Sequence, residues 1–357
     1  MKLKLLTLVI LISTSAIIAK SPEKKERYPA TGMLYFASYG QADNMDVIKN
    51  PYIIGALFTI YWSEVETEKG VFNWDVLDQR IKRWTKEGKK AAIRIMWVSS
   101  GNWPDPVSGT PAPAWVWKEG AKYVFHPESK TEIPLIWDPI YRKNAMNFQR
   151  AVNEKYGKNP DILFIDVTPG AETNPYRFRR IDLLYPEFRG VYENTQASDG
   201  RCYSGELWLE TVTGWIKETA SIFTNIPCLV TLNTGSLQKE NNFQAIGQCA
   251  VDNGMYVGQN GIKEGSYLNS EFQRSALYKE WSSKTKLFFE MVDAAGIPAT
   301  GSLQGVMEAA ERVNCDYLNV YAVDVKKATR SVEIFDPAWE EAVKYGWEFF
   351  NKKNTTR

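Results

Sequence analysis

The sequence predicts an α/β protein folded as a single (β/α)8 TIM barrel with long loops at its C-terminal face. Three observations predict it. Short, almost continuously apolar runs recur along the chain, as strands covered on both faces require. Amphipathic segments alternate with these runs, giving the strand-helix repeat of a barrel. No glycine-rich phosphate loop follows the first run, which argues against the rival doubly wound open sheet.

The first four runs are 32–37, 53–60, 91–98 and 162–167, and the last four are 227–232, 255–258, 287–289 and 317–323. Between the second and third, residues 74–84 place Val76, Leu77, Ile81 and Trp84 at helical spacing and stop at Gly88, a typical C-terminal glycine. Segments 144–156, 207–223 and 305–313 precede the fourth, fifth and eighth runs in the same way, and 339–350 reads as a closing helix. Two connections are long: 99–139, rich in Trp, Pro and Gly, and 168–205. Loops of that length in a compact domain are usually binding walls or lids, and in a barrel they stand over the face that carries the active site.

The chain opens with Lys2 and Lys4, a fifteen-residue largely apolar stretch to Ala19, and a charged segment beginning at Lys20. That stretch is shorter than the roughly 20 residues of a membrane span and has the layout of a cleavable export signal. The expected organisation is a signal peptide at 1–19, a flexible segment at 20–30, a catalytic barrel at 31–350 and a tail at 351–357. A secreted or periplasmic location follows, with no stable membrane insertion after cleavage.

Composition removes several function classes. The formal net charge is +1 and charges of both signs are interspersed, so the basic stripe of a nucleic-acid binder is absent. His126 is the only histidine, and most catalytic zinc sites, Ser-His-Asp triads and Cys-His pairs need at least one imidazole. In Phe125-His126-Pro127 it reads as a loop residue. The expectation is therefore no metal and no cofactor. Cys202, Cys228, Cys249 and Cys315 lack metal-ligand spacing and are read either as up to two disulfides or as free thiols. The oligomeric state is left open. Thirteen tryptophans suit apolar cores and also flat platforms for sugar rings.

Two glutamates carry the functional reading. Glu172 follows the fourth run after Thr168-Pro169-Gly170, and Glu290 ends the seventh directly behind Phe288 and Phe289. A carboxylate at the end of an apolar strand is costly unless the strand mouth uses it. Two of them on separate strands suggest paired-carboxylate chemistry on a sugar. Carboxyl groups about 5–5.5 Å apart retain anomeric configuration, whereas about 6.5–9.5 Å gives inversion.

The stretch from Tyr61-Trp62-Ser63-Glu64 through Gly70-Val71-Phe72-Asn73-Trp74 to Asp78, with Gly88 and residues 91–96, resembles the clan of retaining barrel glycosidases that includes the family 42 β-galactosidases and related endoglycanases. The specific motifs cover about sixty residues. The resemblance implies acid/base work for Glu172 and nucleophilic attack by Glu290. Many clan members carry Asn before the acid/base glutamate to bind the sugar 2-hydroxyl; here Ala171 stands there, and Asn174 is the candidate replacement.

Supporting residues are read from strand ends and turns. Trp62 and Trp97 can stack on sugars or fill the core, and turn-borne Trp103 is the better platform. Asn233, Gln259 and Asn260 can bind hydroxyls or serve turns. Tyr321 and Asp324 can line the floor. Asp166 and Asp293 are alternative carboxylates, with Asp166 also placed to anchor Arg94. Lys263 reads as a solvated lysine. The leading expectation is an exported hydrolase cleaving a β-linked poly- or oligosaccharide with retention. The alternatives are a non-catalytic carbohydrate-binding barrel and, third, an imine-forming aldolase or lyase using Lys263.

Overall fold

The computed structural model of the protein describes residues 31–36, 45–98, 111–126, 131–170, 172–176, 186–233, 242–268 and 273–355. The expected signal segment, Trp103 and Ala171 lie outside them. Eight parallel strands close into one barrel: β1 Gly32–Phe36, β2 Ile53–Tyr61, β3 Lys90–Met96, β4 Ile162–Asp166, β5 Cys228–Leu232, β6 Tyr256–Ile262, β7 Leu287–Met291 and β8 Tyr317–Tyr321. Each strand pairs with its neighbours in sequence, and β8 pairs with β1. The chain is a (β/α)8 barrel.

Strand side chains alternate between two faces, and the alternation builds two cores. The outward set packs under the helices in one large apolar cluster. The inward set forms a smaller plug that includes Leu34, Leu57, Ala92, Phe164, Leu229, Phe288 and Tyr317. Two residues further along, the inward positions of the other seven strands are polar, Thr59, Arg94, Asp166, Thr231, Asn260, Glu290 and Asn319, while β1 keeps apolar Phe36 there. The plug seals the bottom of the lumen, so polar chemistry is confined to the mouth. Gly258 fits this layer because a Cβ there would stand 2.8 Å from the ring of Phe288 and 2.9 Å from its carbonyl oxygen.

The expected helices sit where the apolar periodicity placed them, with ends that differ by up to five residues. Helix Asp75–Lys86 buries Leu77, Ile81 and Trp84 and ends before Gly88, whose φ of +72° suits glycine. Helix Pro139–Tyr156 starts five residues earlier than its hydrophobic pattern, because Asp138 caps it and proline fits the first turn. The closing helix Pro337–Thr355 passes the expected domain end at 350. Its last turn belongs to the barrel: Lys353 Nζ lies 3.0 Å from the Asp316 carboxylate, and Asn354 Oδ1 accepts the Thr31 amide at 2.8 Å.

The long connections carry structure of their own. The first contains a short helix, Ala114–Lys118, and an antiparallel hairpin, Tyr123–His126 with Thr131–Pro134. His126 is therefore a strand residue, not a loop residue; it is buried, with its ring edge-on to Phe188. All four cysteines are free thiols, Cys228 and Cys315 buried, and burial pushes both thiols up.

Asp138 ties the two long connections together. Its Oδ1 accepts the amides of Ile140 and Tyr141, while Oδ2 accepts those of Lys122 in the first connection and Ser198 in the second. The carboxylate is fully buried, so its removal leaves buried donors without partners. Asp138→Ala should cost roughly 3 kcal/mol or more, and Asp138→Asn less. Urea unfolding midpoints measure this, and a wild-type midpoint for the alanine variant would show that the tie does not matter.

Candidate active site

The mouth is organised around Arg94 on β3. Its Nε donates to Asp166 Oδ2 at 2.7 Å on the adjacent β4, and its Nη1 donates to Glu290 Oε2 at 2.8 Å on β7. The guanidinium lies over the rings of Phe36 and Phe288, 5.6 and 5.7 Å from their centroids. Burial alone would depress this arginine; attraction to Glu290 and then Asp166 outweighs it and holds the group above its usual value. Asp166 is thus the anchor for Arg94, and its other oxygen accepts the Thr168 hydroxyl at 2.5 Å.

Glu290 is buried at 6 % exposure and is placed by the regular alternation of β7. Asn319, its register partner on β8, donates to the same Oε2 at 2.8 Å. No donor reaches Oε1 among the described residues, so that oxygen is available to a ligand. Both Arg94 and Asn319 lie inside strands, where a polar residue in an apolar run is the only sequence signal of this role.

Glu172 is held differently. It stands on a segment with left-handed backbone at Gly170 (φ 70°), Glu172 (φ 55°) and Thr173 (φ 58°), a costly conformation for the two residues that carry a Cβ. Helix Gly205–Ile222 braces it: Trp208 donates to the Thr173 carbonyl at 3.1 Å, and Trp215 donates to that of Val167 at 3.2 Å. Asn233, after β5, donates to Glu172 Oε2 at 2.5 Å, and Asn260 on β6 donates to Oε1 at 3.0 Å. Both oxygens are therefore oriented by amide donors.

Glu172 and Glu290 line one cavity of about 620 Å³ at the C-terminal mouth. Asn233, Gln259, Asn260 and Tyr321 line it as well. Gln259 and Asn260 lie within β6, which continues to Ile262, rather than after it. Gln259 Oε1 accepts the hydroxyls of Tyr267 and Tyr278. The Tyr321 phenol is pushed up by burial first and then by Glu290 and Asp293, so it keeps its proton and can donate to a ligand.

Other candidates are corrected by their surroundings. Trp62 and Trp97 are fully buried, edge-on to each other, with Phe148 against both and Trp215 against Trp97. No ring face remains for a sugar. Trp62 is further tied by its Nε1, which donates to buried Glu66 at 2.6 Å. Asn174 is spent inside the protein: its Nδ2 donates to Asn233 and its Oδ1 accepts the Tyr176 amide, so it holds Asn233 rather than a substrate hydroxyl. Asp324 is buried and accepts Ala295 N and Trp339 Nε1, a brace behind the cavity rather than its floor. Asp293 is exposed and does not line the cavity. Lys263 does line it, on an exposed rim with Tyr267, Leu268 and Arg274. Among the described residues no three His, Cys, Asp or Glu side chains form a metal-holding group.

No protein-family model and no curated protein sequence matches the chain. Solved structures do. The catalytic domain of a β-amylase from Paenibacillus polymyxa superposes with a TM-score of 0.62 at 11% identity, over 90% of this chain and 100% of that one. A β-galactosidase from Rahnella sp. R3 gives 0.57 at 10% identity over 92% of this chain, and one from the psychrophilic Marinomonas ef1 gives 0.54 at 11% over 89%. The chain spans only 57% and 59% of those two β-galactosidases. At such identities the likeness establishes the fold: the barrel is one shared with glycoside hydrolases.

Arg94 is the residue whose loss should damage this mouth most. Removing one member of a buried ion network costs about 3–5 kcal/mol, because the partners are left charged and unpaired. Arg94→Met should lower the unfolding free energy by that amount. Arg94→Lys should rescue little, since one ammonium does not reproduce the guanidinium fork. Equal denaturation curves for wild type and Arg94→Met would remove Arg94 from this role.

Proposed function

We propose that the protein is an exported glycoside hydrolase that cleaves a β-linked poly- or oligosaccharide with retention of configuration. The observation that carries this reading is the placement of Glu172 and Glu290 in one cavity, where they are its only carboxylates among the described lining residues. The barrel shared with a β-amylase and β-galactosidases supports it, as does the export-like stretch before Lys20.

In the first step Glu290 Oε1 attacks the anomeric carbon while the bond to the leaving oxygen breaks, and Glu172 delivers its proton to that oxygen. A glycosyl ester on Glu290 results. In the second step Glu172 takes a proton from water, the water oxygen attacks the anomeric carbon, and the ester bond returns its electron pair to Glu290. Arg94 and Asn319 hold the spectator oxygen Oε2 throughout. Asn233 and Asn260 keep Glu172 aimed between leaving group and water. Tyr321 supplies a hydrogen-bond donor beside the reacting carbon.

Glu290→Gly should lose at least about a thousandfold in kcat. Azide should then restore turnover and yield a glycosyl azide of inverted anomeric configuration. Glu172→Ala should retain activity only toward substrates whose leaving group needs no proton. Proton NMR of the first-formed sugar from the wild type reads the stereochemistry. An inverted product would remove the nucleophile role from Glu290, and full activity of Glu290→Gly would sink the reading altogether.

A further inference from the structure

The wall of the cavity built by β6 and the segment after it differs in charge from the floor. Lys263 and Arg274 line the cavity on this side, while its only carboxylates among the described lining residues are Glu172 and Glu290. The chain as a whole is nearly neutral, so this is a local arrangement and not a reflection of bulk charge.

The rim is held firmly where it presents Lys263. Lys263 N donates to Ser266 Oγ at 3.1 Å, and Ser266 N returns a bond to the Lys263 carbonyl at 3.0 Å. Arg312 from the neighbouring helix holds the Ser266 carbonyl at 2.7 Å, and Glu264 N donates to the Thr300 carbonyl at 2.9 Å. Tyr267 sits at a φ of +62° with its hydroxyl on Gln259. The nearest acid in sequence is turned elsewhere: Glu264 Oε2 accepts the Ser302 amide at 2.7 Å, and its side chain packs against Gly301 and Gly305. Among the described residues no carboxylate pairs with Lys263 Nζ.

Arg274 reinforces the wall at a cost. It lies in the first turn of helix Gln273–Trp281, where the helix dipole disfavours a cation. Its charge acts on the phenol of Tyr267 on the same wall and on that of the buried Tyr278. Two cations on one wall of a cavity suit a ligand that brings negative charge.

We infer that the substrate is an anionic glycan whose carboxylate or sulfate group lies against Lys263 and Arg274 on the β6 wall. This rests on the glycosidase reading above, which supplies the sugar; the wall supplies the charge selection. A hexuronic acid and a sulfated hexose carry the same recognisable chemistry here, a compact oxyanion on a sugar ring.

The test compares matched β-linked oligosaccharides in three forms: neutral hexose, hexuronic acid and sulfated hexose. Wild-type kcat/KM should be at least about tenfold higher on one acidic form than on the neutral one, and 0.5 M NaCl should shrink that preference. Lys263→Glu should lower kcat/KM on the acidic substrate about tenfold or more, chiefly through KM, and so erase the preference for the acidic over the neutral form. The uronate and sulfate arms tell the two oxyanions apart. Equal or better cleavage of the neutral form, with Lys263→Glu indifferent, overturns the inference and leaves the hydrolase reading standing. If no form is cleaved, the hydrolase reading fails, and calorimetric binding of the same oligosaccharides decides the wall separately. Binding of an acidic form that Lys263→Glu weakens supports the anion site; no preference for acidic forms overturns it.

Discussion

The buried bridge from Asp166 through Arg94 to Glu290 is the constraint on which the mouth of the barrel depends. It runs from two adjacent strands, β3 and β4, across the lumen to β7. All three side chains are at least nine-tenths buried, so each charge has surrendered most of its hydration. Such burial is tolerable only with further partners. Thr168 donates to Asp166, Asn319 donates to Glu290, and two aromatic rings lie against the guanidinium, whose Nη2 is buried without a hydrogen-bond partner among the described residues. The apolar plug below makes the bridge possible by excluding water from one side. The same plug leaves no other level of the lumen where polar groups could be solvated.

This dependence explains how the strand sequences are written. Along β3, β4, β7 and β8 an apolar inward residue is followed two positions later by a polar one: Ala92 and Arg94, Phe164 and Asp166, Phe288 and Glu290, Tyr317 and Asn319. One register of side chains fills the plug, and the next builds the site. A shift of one residue in any of these strands would send its polar group into the apolar layer under the helices. Register and site are therefore specified by the same residues.

That coupling also accounts for what was legible in the sequence. The strands could be read because both faces of each are covered, and the two glutamates because one lies within such a strand and the other closely follows one. Trp62 and Trp97 misled because a tryptophan at a strand end looks the same whether its ring faces the lumen or the helices; here both pack into a cluster with Phe148, Trp62 stacked on it and Trp97 edge-on. Asn174 misled because proximity in sequence to Glu172 suggested proximity to substrate, whereas its amide is consumed by Asn233 and Tyr176 N. The partnership of Arg94 with Glu290 was not legible at all, since it joins residues on opposite sides of the lumen. The hairpin that buries His126 was hidden by the prolines and glycines around it, which read as loop.

The two glutamates are secured in ways that suit different work. Glu290 belongs to a strand, and its fixed oxygen is held by donors from β3 and β8, so its free oxygen can move little relative to the barrel. A nucleophile benefits from that, because attack on carbon tolerates only a small error in position. Glu172 belongs to a connection whose backbone is held in an unfavourable left-handed state by tryptophans from the helix layer and by two asparagine amides. Local strain of this kind persists only where surrounding contacts over-determine it. The amides of Asn233 and Asn260 restrain both oxygens, so on the proposed reading the group would serve first a leaving oxygen and then a water from one position. On the proposed retaining reading, a rigid strand carboxylate and an amide-cradled loop carboxylate would divide a two-step displacement between them, each with the restraint its own step requires.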